Sequence, residues 1–198
     1  MACHERRVIG IVGSPRRGKN TATLVQKVLE GARSAGLETE LLYISDYRIN
    51  PCDACNACIR TGQCAQDDDM HLFHAALRRA RALVLGTPIY FDHVSAQIKA
   101  LLDRLYPYTG PNPAFRFPQG VKAVLVATWE DSNPTAYDDV IDWLEGRLSH
   151  YFGVETVGIL KGSGTGNTPV SRREALLQEA FDAGARLAGL LNWKPDQA

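Results

Sequence analysis

No charge of either sign dominates this sequence: 22 basic and 22 acidic residues leave a formal net charge of +0. Without a basic patch or run there is no electrostatic footprint for nucleic acid or an anionic membrane surface, so neither is expected as a partner. Long apolar runs are missing too. The stretch 8–12 is far too short to cross a bilayer, and residues 1–7 lack the apolar region and cleavage site of a secretory leader. A cytoplasmic protein is expected. Repeats, linkers and low-complexity tracts are also lacking, so 1–198 reads as one domain. Cysteine is scarce outside one place: Cys3 stands alone while Cys52, Cys55, Cys58 and Cys64 crowd together. Such clustering in a chain with no sign of export favours metal over disulfide.

What the sequence does have is alternation. An apolar run over 7–12 stops at Gly13 and reads as a buried strand. Beyond the turn residues 14–18, Leu24, Val25, Val28, Leu29 and Ala32 recur at helical spacing up to Gly36. A strand over 40–44 leads into a long polar stretch, 45–66, that carries the clustered cysteines, followed by a short helix with Leu72, Phe73, Ala76 and Leu77. Strands over 82–87, 121–128 and 155–161 then alternate with helices over 94–106, 135–151 and 171–191. Five strands alternating with helices predict an α/β, doubly wound, three-layer domain with parallel strands and right-handed crossovers. Each strand-to-helix loop (13–20, 45–66, 87–93, 128–134, 162–170) then emerges at one carboxyl rim, where ligands bind in such folds.

Three rim loops carry chemistry. The first, Gly13-Ser14-Pro15-Arg16-Arg17-Gly18-Lys19-Asn20-Thr21, sits between strand and helix, where amides and the helix dipole favour an anion. Ser14, Asn20 and Thr21 add neutral donors and Arg16 a charged one. Gly13 to Lys19 approaches a Walker A motif, but Asn20 replaces the magnesium-binding Ser/Thr and no clear acid ends strand 82–87, which disfavours nucleotide hydrolysis. A plain Gly/Pro turn with solvated arginines is the alternative. The third loop, with Pro88, Ile89, Tyr90 and Phe91, offers an apolar wall for a flat aromatic ligand, unless the two aromatics simply cap the core. In the second, Pro51 introduces Cys52-x2-Cys55-x2-Cys58-x5-Cys64, a compressed spacing that suits an iron–sulfur cubane better than zinc. Free, disulfide-bonded or redox-active thiols are the remaining alternative. His71, His74 and His93 lie nearby but are left out of the site, since lone histidines are more often satisfied or surface residues. Asp67, Asp68 and Asp69 read as charges at a helix N-terminus rather than an acidic metal patch.

In these loops the sequence resembles the iron-sulfur flavoproteins, a branch of the NADPH-dependent FMN reductase superfamily. The matching stretches are Gly13-Ser14-Pro15-Arg16 with Asn20-Thr21, Pro51-Cys52 through Cys64 with Asp67-Asp68-Asp69-Met70, and Thr87-Pro88-Ile89-Tyr90 leading into Lys99-Ala100-Leu101 and Asp103-Arg104. The similarity is strong through about the first half of the chain. It implies a flavodoxin-like sandwich with strand order 2-1-3-4-5, FMN phosphate held by Ser14, Arg16, Asn20 and Thr21 beside Lys19, and the flavin ring against Pro88 to Phe91. It also implies a 4Fe-4S cluster on Cys52, Cys55, Cys58 and Cys64, with NAD(P)H or a ferredoxin-like protein as electron donor, in a homodimer or homotetramer. Family members commonly place glycines against the flavin after the fourth strand. Here Thr128-Trp129-Glu130 stands there, and Trp129 would reshape or close the ring pocket. A cluster-free NAD(P)H-dependent flavin or quinone reductase and a non-enzymatic electron carrier are the other functional readings.

Overall fold

The computed structural model describes residues 7–110 and 115–191, so Cys3 lies outside the described residues. Five parallel strands, β1 (Arg7–Val12), β2 (Glu38–Tyr43), β3 (Ala80–Tyr90), β5 (Lys122–Thr128) and β6 (Glu155–Gly162), lie in the order β2-β1-β3-β5-β6. This is the expected order once β4 (His93–Val94) is set aside, because β4 pairs only with the end of β3, antiparallel. Period-2 alternation sends each strand's residues to opposite faces. Ile9 and Ile11 of β1, Leu83 and Leu85 of β3, and Ala123 and Leu125 of β5 join one core with α3 (Met70–Arg79), α4 (Ala96–Asp103) and α5 (Asp138–Phe152). Val8, Val12, Ala82, Val84, Val124 and Val126 join the other with α1 (Asn20–Ser34) and α6 (Glu174–Leu190). The remaining helix, α2 (Ala57–Thr61), is a single turn within the cysteine loop.

On the second face, α1 and α6 cross backbone to backbone. A Cβ on Gly31 would stand 1.9 Å from the Phe181 carbonyl oxygen, and one on Gly184 would stand 1.8 Å from that of Val28, so a side chain fits at neither position.

Several boundaries differ from expectation for local reasons. β3 runs past residue 87 because Ile89 and Tyr90 pair with Val94 and His93 in a hairpin, which also delays α4. The start of α5 moves to Asp138 because the Asn133 side chain accepts from the amide and hydroxyl of Thr135, holding a turn there. Among the described residues no helix is long and apolar enough to cross a membrane.

Candidate functional site

The first rim loop leaves β1 under the start of α4. Gly13 donates to the Gly86 carbonyl at 2.8 Å and its own carbonyl accepts from the buried Ser95 hydroxyl at 2.8 Å. A Cβ on Gly13 would lie 2.3 Å from Ile98, so the chain passes too close to α4 for a side chain. Gly18 takes the left-handed turn (φ +60) that brings the chain into α1. No side chain caps α1 and its first turn holds no acid, so its leading amides meet the rim uncovered. Arg16 and Lys19 make no ion pair among the described residues, whereas Arg17 turns away to Asp46 and the Tyr43 ring. Ser14 is buried, and its Oγ accepts from the Arg16 amide at 3.2 Å.

Asn20 and Thr21 are partly committed elsewhere. Asn20 Oδ1 accepts from the Val170 amide at 3.0 Å, and the Thr21 hydroxyl shares a 2.6 Å hydrogen bond with that of Thr128. These side chains brace the loop after β6 and the end of β5. An anion at this loop therefore meets mainly backbone amides, Arg16 and Lys19.

Ser14, Arg16, Lys19, Asn20, Thr21, Pro88, Ile89, Tyr90, Phe91 and Trp129 all line one cleft of about 610 Å³. Small-molecule and cofactor sites have this size. Thr128 and Glu130, which flank Trp129, also line the cleft, together with Asp131, Tyr137, Thr165 and Gly166, which sequence reasoning did not single out. Apart from Tyr137 these last four belong to the two rim loops after β5 and β6, so topology rather than residue type was the signal.

Tyr90 and Phe91 do not cap the core: they are 43% and 104% exposed. Phe91 (φ 47) and Asp92 (φ 57) form the tip of the β3–β4 hairpin, two non-glycine residues in the left-handed region. Opposite them, Trp129 is buried, donates from Nε1 to the Asn133 carbonyl at 3.1 Å and meets Tyr137 edge-on at 5.5 Å. It contributes to the wall without closing the cleft. Interaction with the Asp92 carboxylate pushes the Tyr137 hydroxyl's pKa up, as do desolvation and the nearby charges of Asp92 and Asp131.

The cysteine loop is organised differently. Cys52 and Cys55 are exposed, Cys64 is half-buried and Cys58 is buried; all four are free thiols. Left-handed Ala54 (φ 56) and Asn56 (φ 58) coil the chain between the first three, and Asp53 accepts from the Cys55 amide at 3.2 Å. Burial pushes the Cys58 thiol pKa up, reinforced by Cys64, Cys52 and Cys55, so the four share one electrostatic neighbourhood. Yet among the described residues no three His, Cys, Asp or Glu side chains stand together as a metal-holding group.

The acidic triplet meets the expected role at the start of α3 only in part, through Asp68. Asp69, at the N-cap of α3, makes no side-chain cap and instead accepts from the Arg48 amide at 2.7 Å. Asp68 is buried, paired with Arg104, and accepts from the amides of Asn50 (2.9 Å) and Met70 (3.1 Å). Burial alone would raise its pKa, but these hydrogen bonds, led by Arg104, hold it down at about 2. None of the three histidines lines the cleft. His74 is buried with Nδ1 3.2 Å from the Tyr108 hydroxyl, and burial, then the charges of Arg78 and Arg104, push its pKa down to about 4.

Comparison with known proteins agrees with this geometry. Residues 6–129 match the family model for NADPH-dependent FMN reductase. An iron-sulfur flavoprotein of Methanocaldococcus jannaschii is 43% identical over 101 residues, covering 51% of this chain and 52% of that relative. One from Methanosarcina thermophila is 30% identical over 155 residues, covering 75% and 81%. An NAD(P)H:quinone oxidoreductase from Methanothermobacter marburgensis has the same fold, with a TM-score of 0.71 at 21% identity over 91% of this chain and 95% of that one. Fold, cleft and family match together define a flavin-dependent oxidoreductase. The chain belongs to the NADPH-dependent FMN reductase family, in its iron-sulfur flavoprotein branch.

Proposed function

We propose that the cleft binds FMN and that the chain passes electrons between this flavin and a 4Fe-4S cluster held by Cys52, Cys55, Cys58 and Cys64. Convergence carries the flavin half: an uncapped helix N-terminus with Arg16 and Lys19, which make no ion pair among the described residues, and the Pro88–Phe91 wall share one cleft of cofactor size. When bound, the flavin supplies hydride acceptance at N5 or single-electron transfer and the cluster one-electron exchange. The α1 amides, Arg16 and Lys19 would hold the phosphate through charge-assisted hydrogen bonds. Ser14, whose oxygen already accepts from the Arg16 amide, has its hydroxyl proton left to donate. Pro88 and Ile89 supply the apolar wall.

The thiol set fits a cluster in chemistry: soft donors at compressed spacing on a coiled loop, the other three close enough to Cys58 to raise its ionisation cost. Their final arrangement would be completed by metal binding, as is common where ligand loops are not preformed. A reduced nicotinamide or a ferredoxin-like donor, and a cytoplasmic homodimer or homotetramer, complete this reading. The ungathered donors favour a second one, a cluster-free NAD(P)H-dependent reductase of flavins or quinones.

Anaerobic purification with flavin, iron and acid-labile sulfide measured per chain decides between them. Flavin with stoichiometric iron and sulfide is the expected result. Flavin alone moves the function to the cluster-free reductase, and neither overturns both. Failure of NADH and NADPH to reduce bound flavin, where a reduced ferredoxin-like donor succeeds, removes the nicotinamide route.

A further inference from the structure

Arg104 follows α4 as its C-cap and is among the largest fully buried side chains in the described residues. A buried guanidinium is costly unless its donors are matched, so the identity of its partners is informative. All of them belong to the cysteine loop or its flanks. Nη1 donates to the Asn50 carbonyl at 2.8 Å, to Gln66 Oε1 at 3.1 Å and to Asp68 Oδ2 at 2.6 Å, while Nη2 donates to Asp68 Oδ1 at 2.8 Å. Asn50 stands two residues before Cys52, and Gln66 two after Cys64. Gln66 Nε2 then reaches back to the Pro51 carbonyl at 3.0 Å, and Asp68 accepts from the Asn50 amide, so both ends of the loop converge on one side chain.

The Asp68 pair keeps the guanidinium charged against the cost of burial. Its Nε has no hydrogen-bond acceptor although it is buried. The other end of the same helix is fixed as well, because Ser95 at its N-cap holds the carbonyl of Gly13 in the phosphate-side loop.

We propose that Arg104 is the positioning residue of the cysteine loop: it closes the loop's neck and so fixes where the chain stands just before Cys52 and just after Cys64. The neck itself does not depend on the reading that the four cysteines hold a cluster; its effect on a cluster does.

The test uses Arg104→Lys, which keeps the charge but loses the fork, and the double variant Arg104→Gln with Asp68→Asn, which leaves no unpaired buried charge if Arg104→Lys fails to fold. Flavin per chain serves as the control for an intact fold. In iron-free protein, amide exchange over 50–66 is expected to speed up about tenfold in both variants, as neck contacts are lost. In cluster-loaded protein, both variants are expected to show an altered EPR spectrum, the double variant more than Arg104→Lys, because the Cys52 and Cys64 ends of the loop are no longer held. Unchanged amide exchange in both variants overturns the proposal. Faster exchange with the EPR spectrum unchanged overturns the positioning of the cysteines. If wild type takes up no iron or sulfide, the cluster reading fails, while exchange still decides the neck.

Discussion

The cleft and the cysteine loop share a rim but are built in opposite ways. Every wall of the cleft sits at or near the end of a strand or helix: Ser14 just after β1, Asn20 and Thr21 opening α1, Pro88 and Ile89 in β3, and Trp129 just after β5. The sheet fixes those positions, so the cleft has its shape without a ligand. The cysteines instead lie on an excursion whose only regular piece is α2, tied down at the neck by Arg104, Asp68 and Gln66. Rigid elements preorganise a site, whereas a loop of this kind is ordered at its anchor and completed by what it binds.

Disabling the loop while sparing the cleft should give the largest effect. Cys58→Ser is expected to cut bound iron and acid-labile sulfide to about a tenth of wild type or less, with flavin per chain unchanged. Full iron retention would remove Cys58 from the ligand set. The converse change, Arg16→Ala with Lys19→Ala, should weaken FMN affinity about 100-fold through loss of two charge-assisted contacts, with iron content intact. Titration calorimetry checks this, and wild-type affinity would break the phosphate assignment.

Acid should act on the loop side first. His74 takes up a proton near 6.5 when unfolded but only near about 4 when folded, so its contribution is to lower stability as pH falls between those values, with no loss above 6.5. Asp68 acts below that window: its folded pKa of about 2 lies under the ordinary 3.8, so its stabilisation is full above 3.8 and disappears as pH falls toward 2. His74→Gln should flatten the stability slope between pH 6.5 and 4 by up to about 1.4 kcal/mol per pH unit, read from urea denaturation across pH. An unchanged slope would show that His74 titrates normally. The smallest effect is expected at the cleft's lip, where Tyr137→Phe removes the hydroxyl that interacts with Asp92 and should leave the urea midpoint of unfolding near the wild-type value. A clear drop in the midpoint would mean that this hydroxyl braces the lip.

The fold was legible because its signals are local and periodic: alternating faces on β1, β3 and β5, and a 3.6-residue stripe along α1. The cleft residues with motif character were legible for the same reason, since a rim loop between strand and helix has a known place. Arg104 was not read as a site residue beyond its place in a matching stretch. On sequence it follows Lys99 and Asp103 as one more charge on a helix, and only the tertiary fold shows that Lys99 and Asp103 pair at the surface while Arg104 turns inward. Asp68 was read only in part, because a carboxylate before a helix looks the same in sequence whether it only caps the helix or, as here, also pairs across the loop. The exposure of Phe91 depended on a left-handed hairpin tip that no glycine announces.

The glycine contact between α1 and α6 also bears on how this family member can change. From Asn20 to Gly31 the helix climbs about 16 Å, so the crossing lies well away from the cofactor cleft. Yet a methyl group at Gly31 or Gly184 would collide with backbone, which has no rotamer by which to yield, and the collision could be relieved only by displacing a whole helix. The amides proposed to meet the cofactor phosphate ride on that helix. A neutral-looking replacement in what resembles an ordinary packing seam would therefore be felt as a loss of cofactor grip, and these two positions stand outside the drift open to the rest of the helical surface.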